Sequence, residues 1–159
     1  MTPPALLCLL ACAWSTSTFA GSPRLTHTYP AAGQRGTEIE VTCSGGNLAD
    51  AKGLLFDTPG LECTAVTAPE GGKFKAKIKI AADAKLGEHW FRALTASGVS
   101  DLRLFYVTPF PLVEKGKDKD HPDAPLAVAL GTTVYGRTQG ESHDTFEVEL
   151  KKEIGRAHV

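Results

Sequence analysis

Three carboxylates and an imidazole crowd into the hexapeptide DKDHPD, where Asp118, Asp120 and Asp123 surround His121. Such a set could chelate a cation, the carboxylates supplying oxygens and the imidazole a nitrogen. The stretch lacks the glycine turn and the closing bidentate glutamate of a calcium loop, however, and Pro122 stiffens the backbone that would have to wrap the ion. The other histidines, His27, His89, His143 and His158, stand far apart, and no H-E-x-x-H pair occurs. No serine sits in a G-x-S-x-G elbow. With 18 acidic residues, any glycosidase-like carboxylate pair is easy to draw and says nothing. The expectation is a chain with no catalytic residue, metal site or cofactor of its own. Recognition by contact remains open, and Tyr29 and Trp90 are the candidate ligand-contact aromatics, core packing being the alternative use of such rings.

The elements that would position those rings are strands. Gly 16 and Pro 10 are plentiful, and β-branched and aromatic residues come in short runs bounded by Gly, Pro, Asn and Asp. A length of 159 residues leaves room for one ordinary domain or two small ones, and 42% hydrophobic with 22% charged residues is globular composition. The net charge of −1, with both signs mixed along the chain, provides no electrostatic footprint for nucleic acid or an anionic membrane surface.

The N-terminus reads as an address. An apolar run from Ala5 to Trp14 is followed by a polar Ser/Thr stretch and by Thr18-Phe19-Ala20, the layout of a signal peptide cleaved after Ala20. The run is far shorter than the roughly 20 residues that span a bilayer, so no stable membrane span is expected. A minor alternative is a lipobox, Leu9 to Cys12, with Cys12 lipidated. Either reading makes the chain exported, whether to the periplasm, the cell surface or the medium. Cys8 and Cys12 lie in this leader, which leaves Cys43 and Cys63 for an oxidising compartment. They either close a loop of about 20 residues as a disulfide or serve as two small buried hydrophobes.

From Pro23 onward, strands and turns alternate. TEIEVTCS places Ile39, Val41 and Cys43 on one face, GGNLADAKG reads as a loop, and LLF and LECTAV follow. KFKAKIKI sets Phe74, Ala76, Ile78 and Ile80 against Lys73, Lys75, Lys77 and Lys79, one face for the core and one for water. EHWFRALT and DLRLFYV flank a short Gly-containing loop, as in a hairpin. About seven short strands without an amphipathic helix predict an all-β antiparallel β-sandwich over residues 21–107. TPFPLVEKGKDKDHPDAP, residues 108–125, reads as a stiff solvated linker.

Several of these residues carry a resemblance. Pro30 and Gly33, RGTEIEVTCSGGNL with Gly36-Thr37 and Gly45-Gly46-Asn47-Leu48, the LLF run and the final LRLFYV resemble the immunoglobulin-like fold of IPT/TIG domains. LGEHWFRALTASGVSDLRLFYV with PFPLVEKG after it is similar to the N-terminal region of large exported multidomain proteins of planctomycete-type bacteria. In those proteins pre-peptidase C-terminal domains follow, and LAVALGTTVYGRTQGESHDTFEVEL resembles the opening of one, with His143 and Thr145 flanking a single Asp144. The resemblance implies an incomplete second β module over residues 126–152, only partly ordered on its own. The terminal EIGRAHV can be encoded by bases that spell the start of a common sequencing adapter, so residues 153–159 are expected to be a non-native tail on a fragment. Together these features imply a non-catalytic exported module for surface or extracellular binding and spacing, with glycans or surface proteins as partners. The alternative is an accessory N-terminal segment of a secreted peptidase or other hydrolase whose catalytic domain lies elsewhere.

Overall fold

A computed structural model describes residues 21–67, 69–115, 125–137 and 144–150. The expected signal peptide, the DKDHPD cluster and the terminal tail lie outside the described residues. The first nine strands are β1 (Arg24–Tyr29), β2 (Ala32–Gln34), β3 (Glu38–Gly46), β4 (Ala51–Phe56), β5 (Leu61–Val66), β6 (Lys73–Ile80), β7 (Gly87–Thr95), β8 (Gly98–Val99) and β9 (Arg103–Thr108). They form two sheets, one ordered β1-β3-β6-β5 and the other β2-β9-β7-β4, with β8 hairpinned onto β7. In the second sheet β2 runs parallel to β9, and the remaining pairs in both sheets are antiparallel. The chain crosses from the first sheet to the second at the cis Tyr29-Pro30 bond. This is the immunoglobulin-like arrangement, with β1, β3, β6 and β5 in the places of A, B, E and D, and β4, β7 and β9 in those of C, F and G.

The alternation read in KFKAKIKI is what fixes the core. Phe74, Ala76, Ile78 and Ile80 are buried, as are Val41 and Cys43 on β3, and they meet Phe91, Ala93, Phe105 and Val107 from the facing sheet. The lysines take the opposite face, where Lys75 pairs with Glu40 at 2.7 Å and Lys77 with Glu38 at 3.7 Å. Those exposed pairs contribute little stability, but they commit that face to water. Backbone approach is as tight as side-chain packing. A Cβ at Gly45 would stand 1.8 Å from the Arg24 carbonyl oxygen, and one at Gly33 would stand 2.3 Å from Ile80 Cδ1. Gly45 is therefore required by the close pairing of β1 with β3, not by a turn.

That close approach changes the reading of GGNLADAKG. Gly45 and Gly46 continue β3 and Ala51 already opens β4, so the loop shrinks to Asn47–Asp50, with Asn47 at φ 55° and Leu48 fully buried. The two cysteines are likewise placed by register. Both are free thiols, and β6 lies between their strands, with Cys43 opposite Phe74 and Cys63 opposite Ile78. Two strand spacings separate them by about 10 Å across the sheet, and four residues add about 13 Å along it. A disulfide needs Cα atoms about 4.4–6.8 Å apart, so the fold holds the candidate pair as two small hydrophobes instead of a bridge. Burial pushes the Cys43 thiol up to about 12, which keeps it protonated and unreactive.

The segment expected to be linker starts as structure. β9 runs to Thr108, and a tenth strand, β10 (Leu112–Glu114), follows at once. Beyond it lie β11 (Leu126–Ala127), β12 (Thr133–Tyr135) and β13 (Phe146–Glu147). β10 pairs with β12, and β11 with β13, both in parallel.

One polar clamp ties the edge of the first sheet to the second. Asp101 Oδ1 accepts from the N–H of fully buried Leu25 at 2.9 Å, and Oδ2 accepts from Arg103 at 2.8 Å, while Arg103 Nε donates to the Thr26 carbonyl at 3.0 Å. Burial pushes the Asp101 carboxyl up, but the backbone N–H groups and Arg103 outweigh it and hold it below the ordinary aspartate value. Stability from this clamp is therefore present above the ordinary aspartate range and is lost as pH falls through the lowered value. Asp101→Ala leaves the Leu25 N–H without its acceptor and should cost about 1–2 kcal/mol in urea unfolding at neutral pH. The difference from the parent chain should shrink in acid, and an undiminished difference there would remove the carboxylate from the explanation.

Candidate functional site

The chain contains three tyrosines, and all three line one cleft of about 1010 Å³. Each arrives from a different element. Tyr29 ends β1, Tyr106 stands on the outer face of β9 opposite Glu88 of β7, and Tyr135 ends β12 opposite Glu114 of β10. The cleft lies where the strands after β9 fold back against the edge of the sandwich, between β1, β2 and β9 on one side and β12 on the other.

Hydrogen bonds fix the rings. Tyr29 donates its hydroxyl to Glu114 Oε1 at 2.6 Å, which ties β1 to β10, and Tyr106 donates to Glu88 Oε1 at 3.1 Å. Tyr29 and Tyr135 meet with centroids 5.4 Å apart and planes inclined at 59°, within the range of attractive aromatic pairs. The guanidinium of Arg137 lies over the Tyr29 ring, 4.6 Å from its centroid, a cation–π contact. Thr108 and Thr133, both in the lining, join hydroxyls at 2.7 Å, and Phe110 N–H donates to Thr108 Oγ1 at 3.2 Å. Burial, then the hydrogen bond and charge of Glu114, push Tyr29 up to about 12. Tyr106 is raised chiefly by its hydrogen bond to Glu88, and Tyr135 by burial.

Against the Tyr135–Arg137 stretch sits a partly buried ion pair. Lys115, 8% exposed, contacts the Asp144 carboxylate and donates to the Arg137 carbonyl at 3.4 Å. A Cβ at Gly136 would come within 2.8 Å of Lys115 Cβ, so glycine lets the chain lie directly on the lysine stem. Asp144, the single acid of HDTF, is thus a partner of Lys115. Lys115 thus contacts the backbone that carries Arg137.

Of the two aromatics singled out from the sequence, Tyr29 lines the cleft and Trp90 does not. Trp90 is 40% exposed on the outer face of β7, opposite Leu104, with its N–H and carbonyl both bonded to Asp57. Tyr106, 44% exposed, sits diagonally from it on the same face, so the cleft opens onto a sheet face that also carries Leu55 and Leu104. Sequence reading missed Tyr106, Tyr135 and Arg137. The signal for Tyr106 was the alternation in LRLFYV, which sends Leu104 and Tyr106 outward as Phe105 and Val107 go in. His89, beside Trp90, is fully buried and structural: Nδ1 faces the Thr58 hydroxyl at 2.5 Å and Nε2 the Lys85 carbonyl at 2.6 Å. Among the described residues no group of His, Cys, Asp and Glu could hold a metal ion, and no helix is long and apolar enough to cross a membrane.

No protein-family model matches the chain, and no curated protein matches it. Among solved structures, the chain is similar to SGBP-B of the Bacteroides ovatus mixed-linkage glucan utilization locus, in complex with a mixed-linkage heptasaccharide, at 16% identity and a TM-score of 0.44. The match covers 69% of this chain and 26% of that one, so the chain spans about a quarter of that protein's length.

Two outcomes follow from the cleft. In an alkaline titration read by phenolate absorbance, all three tyrosines should ionise above the ordinary value of about 10, Tyr29 last, and Glu114→Gln should bring Tyr29 down. Because the fold holds the Tyr29 phenol neutral, its contribution to stability is intact below pH about 10 and is lost as pH rises toward about 12. Asp144→Ala should speed amide exchange at Tyr135 and Arg137 by about tenfold or more while β3 and β6 stay protected. Unchanged exchange at those amides would show that the pair does not support the cleft wall.

Proposed function

We propose that the chain is a non-catalytic binding module that takes a glycan in the tyrosine cleft. The observation that carries this reading is the convergence of all three tyrosines, from three separate elements, on one open cleft. Sugar rings present an apolar face of C–H bonds and an equatorial rim of hydroxyls, and they need flat aromatic surface beside polar donors and acceptors. Tyr106 supplies an exposed ring, Tyr135 a half-buried one, and Thr108, Thr133 and His27 the polar rim. Trp90 and Leu104 extend the apolar surface beyond the mouth, which suits a polymer longer than the cleft.

Export of the chain, through a signal peptide over residues 1–20, belongs to the same proposal, as does kinship of residues 21–107 with IPT/TIG domains and of residues 126–152 with the start of a pre-peptidase C-terminal domain. Such a module would hold or space a larger surface protein against its glycan.

Affinity electrophoresis of the chain through gels containing single soluble polysaccharides tests the reading. At least one polysaccharide should retard the chain. Tyr106→Ala, at an exposed position, should leave the thermal midpoint nearly unchanged and weaken binding about 3- to 10-fold. Trp90→Ala should weaken binding to long polymers more than to short oligosaccharides. A chain that migrates freely in every gel overturns the proposal.

A further inference from the structure

We infer that the cleft selects an acidic sugar, one bearing a carboxylate or sulfate, and that Arg137 is the group that reads its charge. The inference rests on the glycan reading above and deepens it. Three features of the wall point the same way. The lining holds Arg137 and His27 but no aspartate or glutamate. The two carboxylates nearest the rings, Glu114 and Glu88, stand outside the lining and accept the hydroxyls of Tyr29 and Tyr106, so neither takes the donors of Arg137. Arg137 has its guanidinium over the Tyr29 ring, 4.6 Å from the centroid, and makes no hydrogen bond or ion pair from it to another described residue.

An arginine laid on an aromatic ring is oriented before any ligand arrives, while its edge donors point away from the ring plane's partner and remain available. That edge matches the two oxygens of a carboxylate or of a sulfate, which it takes in parallel hydrogen bonds. Lysine could supply the charge but neither the stacking nor the fork. The backbone that carries Arg137 is contacted as well, since Lys115 donates to the Arg137 carbonyl and Gly136 lets the chain rest on the Lys115 stem. The chain as a whole is nearly neutral, so the preference is local to the cleft and differs from a general attraction for polyanions. The rings select the sugar and Arg137 selects its substituent.

The test pairs polymers that differ only in charge: polygalacturonate against its methyl ester, and dextran sulfate against dextran, each titrated into the full chain. A carboxylate reader binds polygalacturonate at least about tenfold more tightly than the ester, and a sulfate reader does the same for the second pair. Either result supports the inference, and it should fade with salt and be lost in Arg137→Ala but partly kept in Arg137→Lys. Methyl-ester comparison uses the parent chain alone, so it stands even if an Arg137 variant disturbs the fold. Equal binding of charged and neutral partners, insensitive to Arg137→Ala, overturns the inference while leaving the glycan reading in place. Binding of both polyanions that ignores Tyr106→Ala and Arg137→Ala overturns it as well, as plain charge attraction. No binding to any of these or to other polysaccharides removes both readings together.

Discussion

Burying one face of each sheet against the other is the constraint from which the rest of this structure follows. A strand turns successive side chains to opposite faces, so once Phe74, Ala76, Ile78 and Ile80 of β6 enter the core, the lysines between them must meet water. On the facing sheet the same rule sends His89, Phe91 and Ala93 inward and Glu88, Trp90 and Arg92 outward. The two outer faces then differ in kind. One is a lattice of lysines and glutamates, the other a sheet carrying Trp90, Leu104 and Tyr106. The second is the face onto which the cleft opens, and it carries the aromatic surface that the glycan proposal uses.

The cleft itself is made by chain that comes after the sandwich is complete. β10 and β12 return to the edge formed by β1, β2 and β9, and two kinds of contact hold them there. Tyr29 gives its hydroxyl to Glu114, and Thr108 meets Thr133. Deeper in, Lys115 and Asp144 form a pair that is costly to desolvate and is worthwhile only when the geometry is good. The lysine of this pair also contacts the backbone that carries Arg137. Rings fixed by hydrogen bonds and an arginine fixed by stacking give a preorganised surface, and preorganisation lowers the entropy lost on binding.

Much of the sandwich is legible in the residues. Period-two alternation in TEIEVTC, KFKAKIKI and DLRLFYV depends only on neighbours along the chain and on which side chains water rejects, so the strands, their facing and the all-β class follow without coordinates. Two readings depended on more than that. The Gly45-Gly46 pair stays in β3 because the backbone of β1 passes within reach of it, and Cys43 and Cys63 stand apart because β6 comes between them. Both facts concern strands distant in sequence, whose pairing no local pattern specifies.

The site divides along the same line. The sequence by itself singled out Tyr29 and Trp90 among few aromatic groups, and its alternation in LRLFYV already held the outward facing of Tyr106. Only the tertiary structure decided that Tyr29, Tyr106 and Tyr135 share a cleft, that Trp90 lies outside it, and that Arg137 stacks on a ring over a hundred residues earlier in the chain. Alternation fixes the direction in which a side chain leaves its strand. Which distant side chain it then meets is set by strand order and by the return of β10 and β12 to the sandwich edge, and those are properties of the packed sheets.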